Sequence, residues 1–407
     1  MGKFCLFFLI CIKLALENGH SQSNLMPKSG RWHGELSLND RLYLPFEIDI
    51  SIQKKKPILV IRNGDEKIKL ILNKKKNGIF YYHFPEMDSE LILCFNENGV
   101  QLSGEWINYN KAKPVSIPFT AYLNAATRFL VSGQPSKNYT GRWDVLFKDG
   151  DEHAIGLFKQ EGNEITGTFL TETGDYRYLS GNVNENNTLY LSCFDGAHAY
   201  QFVAHMSGQD QVSGLFYSGQ SYQTSWEGKR SDLATLKDPD SITRLLDNTA
   251  FSFNATTLKG KTYQFTPKAK TGTIIQIMGS WCPNCIDETN YFKEIYSEYK
   301  RKGFEFIAVS FELGKDKKEQ LIRLKGFINR CKIPYLVLLG GKKGAEEASS
   351  VFSTLTKIVG FPTTIILDKN GVVRRIHTGF SGPGTGIEFL NYKSDTEKLL
   401  NEITQEN

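Results

Sequence analysis

Seven cysteines in 407 residues are too few for a disulfide-dense scaffold. Excess charge of one sign is also scarce. Lys and Arg number 49 against 44 acidic residues, and the resulting +5 gathers into no tract. Composition therefore offers nothing for nucleic acid to bind, and no nucleic-acid partner is expected. Past the first residues no apolar run approaches the ~20 residues a membrane-spanning helix needs. What is present is a 40% hydrophobic, 12% aromatic chain, which excludes global disorder. At roughly 100–200 residues per domain, the length predicts two or three domains.

Residues 1–21 read as a cleavable export signal. Lys3 supplies a short positive start, Phe4–Ile12 an apolar stretch, and Gly19-His20-Ser21 small residues for a peptidase. Cys11 raises a lipid-anchored alternative, although Ile10 stands where a small residue is expected. Cleavage near Ser21 removes Cys5 and Cys11, leaves a mature chain with no transmembrane segment, and places it in the periplasm or cell envelope, where disulfides persist.

Residues 22–232 form a duplicated antiparallel β region. Short alternating runs such as Ile68–Leu72, Leu91–Phe95 and Thr188–Phe194 are separated by Asn63-Gly64, Asn77-Gly78, Asn98-Gly99 and Asp149-Gly150. These are hairpin signals, and their density predicts a sandwich or barrel-like architecture. Gly30-Arg31-Trp32 recurs 111 residues later as Gly141-Arg142-Trp143, and Leu102-Ser103-Gly104 resembles Val212-Ser213-Gly214 at an offset of 110. Cys94-Phe95 resembles Cys193-Phe194 at an offset of 99, which requires unequal loops. The copies divide as 22–135 and 136–232. Each Trp is expected to anchor its module's core, with a ligand platform as the alternative. His198 and His205 read as ordinary strand residues rather than metal ligands. Cys94 and Cys193 read as buried thiols, and a bridge between them stays open.

Residues 233–247 read as a linker, in which Asp240 or Ser241 caps a short helix through Leu245-Leu246. From 248 to 407 the period changes to alternating strands and helices, an α/β sheet made mixed by a hairpin at Asp368–Gly371. Phe292, Ile295, Tyr296 and Tyr299 mark one helical face. Ala348, Val351, Phe352, Leu355 and Val359 mark a second, and Phe389, Tyr392, Thr396, Leu399 and Ile403 a third.

Between the first buried strand, Thr273–Met278, and its helix stands Trp281-Cys282-Pro283-Asn284-Cys285. Two cysteines three apart in a helix's first turn can close a small disulfide ring. The helix N-terminus stabilises the first sulfur as thiolate, lowering its pKa to roughly 7 in thioredoxin-like cases. Cys282 is thus expected as the exposed attacking thiol and Cys285 as the buried resolving one. Half of a zinc site and a merely structural disulfide are the competing readings. Neither a second CxxC nor a His pair completes the zinc site, so no metal and no cofactor are expected.

These features resemble the thioredoxin superfamily, and more closely the TlpA/ResA-like thiol–disulfide oxidoreductases of the redoxin group. The likeness runs from Phe251-Ser252-Phe253 through WCPNC and Gly360-Phe361-Pro362-Thr363-Thr364 to His377–Pro383. It implies a thioredoxin-like fold over 248–407, with Pro362 in cis against the CxxC. Trp281, Pro283, Phe361 and Pro362 would then border an extended substrate chain. It also implies that Glu288, one helical turn past Cys285, shuttles the proton of the resolving thiol. An exposed Glu288 that merely complements the helix dipole is the alternative. Asn290 replaces a proline common in the family, Asp287 is expected to be solvated, and Cys331 to be a lone surface or half-buried cysteine.

The expected function is an exported disulfide reductase. Cys282 and Cys285 would act on protein disulfides, with apocytochrome c among plausible substrates and a membrane thiol transporter as electron donor. The rival is a binding or adaptor protein whose duplicated β module recognises a partner.

Overall fold

The computed structural model describes residues 25–123, 127–247 and 249–406. The export signal read in residues 1–21 lies outside them. The chain divides into two units. The first holds both β modules, up to Ala234. The second comprises Thr235 onward together with two short pieces, His153–Ile155 and Phe169–Arg177.

The first module is an antiparallel meander of Gly30–Ser37, Tyr43–Gln53, Lys56–Asn63, Glu66–Lys69, Ile71–Lys76, Ile79–His83, Ser89–Phe95, Gln101–Asn108 and Val115–Leu123. The run expected at Ile68–Leu72 is broken at Leu70. Its halves, Glu66–Lys69 and Ile71–Lys76, sit at opposite ends of the sheet order. Two sheet ends joined by one residue must meet, so the sheet rolls into a barrel. Leu70, 3% exposed, marks the bend, its N–H donating to Leu59 O at 2.9 Å. The second module, Gly141–Arg230, follows a similar antiparallel order except that Leu179–Val183 pairs directly with Glu164–Thr171, leaving the two-residue strand Gly174–Asp175 at the edge, and pairing of Glu152–Glu161 with Glu164–Thr171 closes it.

Alternation fills each barrel: in Gly30–Ser37 every second residue from Trp32 is buried. Trp32 and Trp143 are wholly buried and play the same part in both copies. Each indole Nε1 donates to the carbonyl four residues upstream, Lys28 O at 3.2 Å and Tyr139 O at 2.9 Å. They are core anchors. The matched tripeptides Leu102–Gly104 and Val212–Gly214 fall on equivalent strands, the last but one of each barrel. The proposed match of Cys94-Phe95 to Cys193-Phe194 does not hold. Cys94 lies on the strand just before its tripeptide, and Cys193 two strands before. Both are buried thiols, and neither is in a disulfide. His198 sits in a turn against Asp195, and His205 pairs with Thr188 across strands.

Residues expected as a linker carry a single helical turn, Pro239–Ile242, capped by Asp238 rather than Asp240 or Ser241. It stops before Leu245, which bridges to Leu355.

In the second unit we label strands β1 (Asn254–Thr256), β2 (Thr262–Gln264), β3 (Gly272–Met278), β4 (Phe304–Glu312), β5 (Leu336–Lys342), β6 (Thr363–Asp368) and β7 (Val373–Thr378). The helices are α1 (Pro283–Arg301), α2 (Lys317–Cys331), α3 (Ala345–Val351) and α4 (Ile387–Gln405). The sheet order is β2-β1-β5-β4-β3-β6-β7. β3, β4 and β5 are parallel, and β6 and β7 antiparallel, the mixed sheet the hairpin predicted. One core packs Ile275, Ile277, Val309, Leu338 and Phe352 on one face, and another packs Ile274, Phe292, Tyr299, Phe306 and Leu400 on the other. The helix expected through Val359 is shorter: α3 ends at Val351, Leu355 N–H tightens back to Phe352 O, and Val359 is 39% exposed.

Candidate active site

The CxxC falls where β3 ends and α1 begins. Trp281 is half-buried above the strand end, and Cys282 is the helix N-cap. Pro283 at the first helical position needs no N–H partner, which suits a helix start. Cys282 and Cys285 are joined in a disulfide, with Cα atoms 5.2 Å apart. Cys285 N–H points at Cys282 Sγ, 3.3 Å away, so an orphan helix donor is aimed at the first sulfur. Cys285 is wholly buried and Cys282 is 6% exposed. The order of exposure matches expectation, but Cys282 is far less open than an exposed thiol.

Phe361–Pro362 is a cis peptide. The Phe361 carbonyl oxygen lies 3.5 Å from Cys282 Sγ. The Phe361 ring meets Trp281 edge-on at 5.6 Å. Trp281 Nε1 donates to Phe311 O at 2.7 Å, and Lys343 Nζ sits 3.7 Å from its ring centre. The structure therefore gathers Trp281, Cys282, Pro283, Cys285, Phe361 and Pro362 at one point.

Glu288 is wholly buried, not an exposed dipole partner. Oε1 accepts from Thr364 Oγ1 at 2.8 Å and Tyr392 OH at 2.7 Å, and Oε2 accepts from Gln276 Nε2 at 2.9 Å. The same Gln276 amide donates to Cys285 O at 3.1 Å, linking the carboxyl to the resolving cysteine's backbone. Burial pushes the Glu288 carboxyl up to about 7, against the three hydrogen bonds that favour its ionised form. α1 runs unbroken through Asn290.

Two other residues depart from expectation, and a third buried group had none. Asp287 is not solvated: its side chain is 11% exposed and ion-paired with Arg177. Cys331 is 3% exposed, at the end of α2, and in no disulfide. Glu312, not singled out by sequence reasoning, is a second wholly buried carboxylate. It accepts from Ser280 N at 3.1 Å, Ser280 Oγ at 2.6 Å and Ser310 Oγ at 2.5 Å. Burial raises its pKa. A charge closing the apolar run Phe304–Glu312 was its only sequence signal. For the Glu288 cage, Gln276 within an otherwise apolar strand was the readable sign.

A CxxC disulfide at a helix start, facing a cis-proline loop on a mixed seven-stranded sheet flanked by helices, defines a thioredoxin-superfamily redox domain. The redoxin family model matches residues 246–395. The thiol-disulfide oxidoreductase ResA of Geobacillus kaustophilus (strain HTA426) is 30% identical over 132 residues, 32% of this chain and 68% of that protein. ResA of Bacillus thuringiensis subsp. konkukian (strain 97-27) is 30% identical over 122 residues, 30% of this chain and 63% of that protein. Among solved structures, a thioredoxin family thiol:disulfide interchange protein from Chlorobium tepidum TLS aligns at 22% identity and TM-score 0.27, covering 38% of this chain and 94% of that one. The chain spans about two thirds of the curated relatives' length. It belongs to the redoxin family, as a TlpA/ResA-like thiol–disulfide oxidoreductase.

Proposed function

We propose that the protein reduces protein disulfides through Cys282 and Cys285. The carrying observation is the pairing of a helix-start disulfide with a buried carboxyl whose pKa stands near neutrality. In the dithiol form, the Cys282 thiolate attacks a substrate sulfur, and that substrate disulfide breaks to a mixed disulfide and a leaving thiolate. Cys285 then attacks Cys282 Sγ. The mixed disulfide breaks, the substrate leaves as dithiol, and the enzyme holds the disulfide. Glu288, buried one turn past Cys285 on α1, is the base that takes the proton Cys285 must lose, and Gln276 holds its carboxylate in place. Trp281, Pro283, Phe361 and Pro362 border the sulfur and hold the substrate main chain.

The leader read in residues 1–21 supports action in the cell envelope, where a membrane thiol transporter would restore the dithiol. Apocytochrome c is one substrate of suitable chemistry. The adaptor reading loses weight because both Trp anchors of the β modules serve their own cores.

The test is mixed-disulfide trapping on insulin. Cys285→Ser should accumulate a covalent adduct at Cys282, and Cys282→Ser should form none and lose insulin reduction. An unchanged rate in Cys282→Ser would remove the enzyme reading.

A further inference from the structure

The segment Phe169–Arg177, contributed by a hairpin of the second β module but belonging to the redox unit, is packed against both loops that flank Cys282. Asp175, 8% exposed, is the pin. Its Oδ2 accepts from Gly382 N at 2.6 Å and Asn284 Nδ2 at 3.1 Å, while Oδ1 accepts from Arg177 N at 2.5 Å. Asn284 is the residue inside the CxxC. Arg177, 5% exposed, holds Asp287 one turn along α1. Thr173 lies so close to the cis-proline side that a Cβ on Gly360 would stand 2.6 Å from its Cγ2, and one on Gly379 would stand 2.8 Å from its carbonyl carbon. Only glycine leaves room at both positions, and Gly379 also holds φ +84°. Gly360 immediately precedes Phe361, whose carbonyl is beside Cys282 Sγ. A substrate chain pairing along Gly360-Phe361 must pass Thr173.

We propose that Thr171–Arg177 is a specificity-determining wall of the redox site. It narrows the approach to Cys282, so that disulfides on flexible or small carriers react faster than those held on a folded protein surface. Asp175, Arg177 and Thr173 are positioning residues; none touches sulfur chemistry. The inference rests on the dithiol reading above.

The experiment uses the full chain and two probes, the small aromatic disulfide 5,5′-dithiobis(2-nitrobenzoate) and folded insulin. The small-probe rate reports the dithiol itself, and the insulin-to-probe ratio reports the wall. Asp175→Ala, which removes three acceptor contacts, should raise that ratio about tenfold, equivalent to ~1.4 kcal/mol of closure. The small-probe rate and the reduction potential should stay within about twofold and about 10 mV of wild type. Asp175→Asn keeps the shape and one acceptor, and should raise the ratio about threefold; it serves if the alanine variant does not fold. A ratio unchanged in the folded variants overturns the wall. Loss of the small-probe rate in wild type would instead overturn the dithiol reading.

Discussion

Glu288→Gln separates the chemical from the structural work of the buried carboxyl. In the native disulfide form Glu288 ionises near 7, against 4.5 for an ordinary glutamate. Below pH ~4.5 the carboxyl is protonated in both folded and unfolded chains and contributes no pH dependence. Between 4.5 and 7 the unfolded chain has lost its proton and the folded one has not. Stability therefore falls as pH rises through this window and levels off above 7. The shift corresponds to about 3 kcal/mol. Glutamine cannot ionise, so the difference in unfolding free energy between variant and wild type should swing by about 3 kcal/mol in the variant's favour from pH 4 to pH 8. Over the same range the variant should lose about 10²-fold in insulin turnover above pH 7, with the wild-type rise near pH 7 flattened. Urea unfolding of the oxidised form at both pH values, paired with turnover, measures both. A difference that does not move with pH, or a variant that keeps the wild-type pH profile, would mean that Glu288 neither titrates near 7 nor serves as the base.

Glu312→Ala leaves the Ser280 N–H and the Ser280 and Ser310 hydroxyls without their acceptor. It should cost about 3 kcal/mol or more in urea unfolding, while Glu312→Gln recovers most of it. Trp143→Ala removes a wholly buried indole, its bond to Tyr139 O and the Arg230 guanidinium 4.3 Å from its ring. It should destabilise the first unit by about 3–5 kcal/mol in thermal unfolding, with small-disulfide turnover retained at low temperature.

The redox unit was legible because its signals are local. A CxxC between a buried strand and an amphipathic helix, and Asp368–Gly371 between two apolar runs, place the elements without long-range information. The barrels were half legible. Strand density and the Gly-Arg-Trp repeat identified the duplication, but closure depends on the bend at Leu70 and the pairing of Glu152–Glu161 with Glu164–Thr171. A one-strand slip in matching Cys94 with Cys193 was invisible where both strands alternate alike. The site's polar cage was least legible. Tyr392 and Thr364 lie 104 and 76 residues from Glu288, and as sequence they read only as helix-face and strand residues. Asp175 and Arg177 reach the CxxC from another module, so nothing near them in the chain announced it.

On this reading Cys282–Cys285 is a reducing couple. Equilibrating the full chain with thioredoxin-range dithiol buffers and quantifying the oxidised fraction gives its reduction potential. A value below about −200 mV is expected, toward the ≈ −270 mV of thioredoxin, because Pro283-Asn284 places no cation between the sulfurs. A value near ≈ −120 mV would make the protein an oxidant and contradict it.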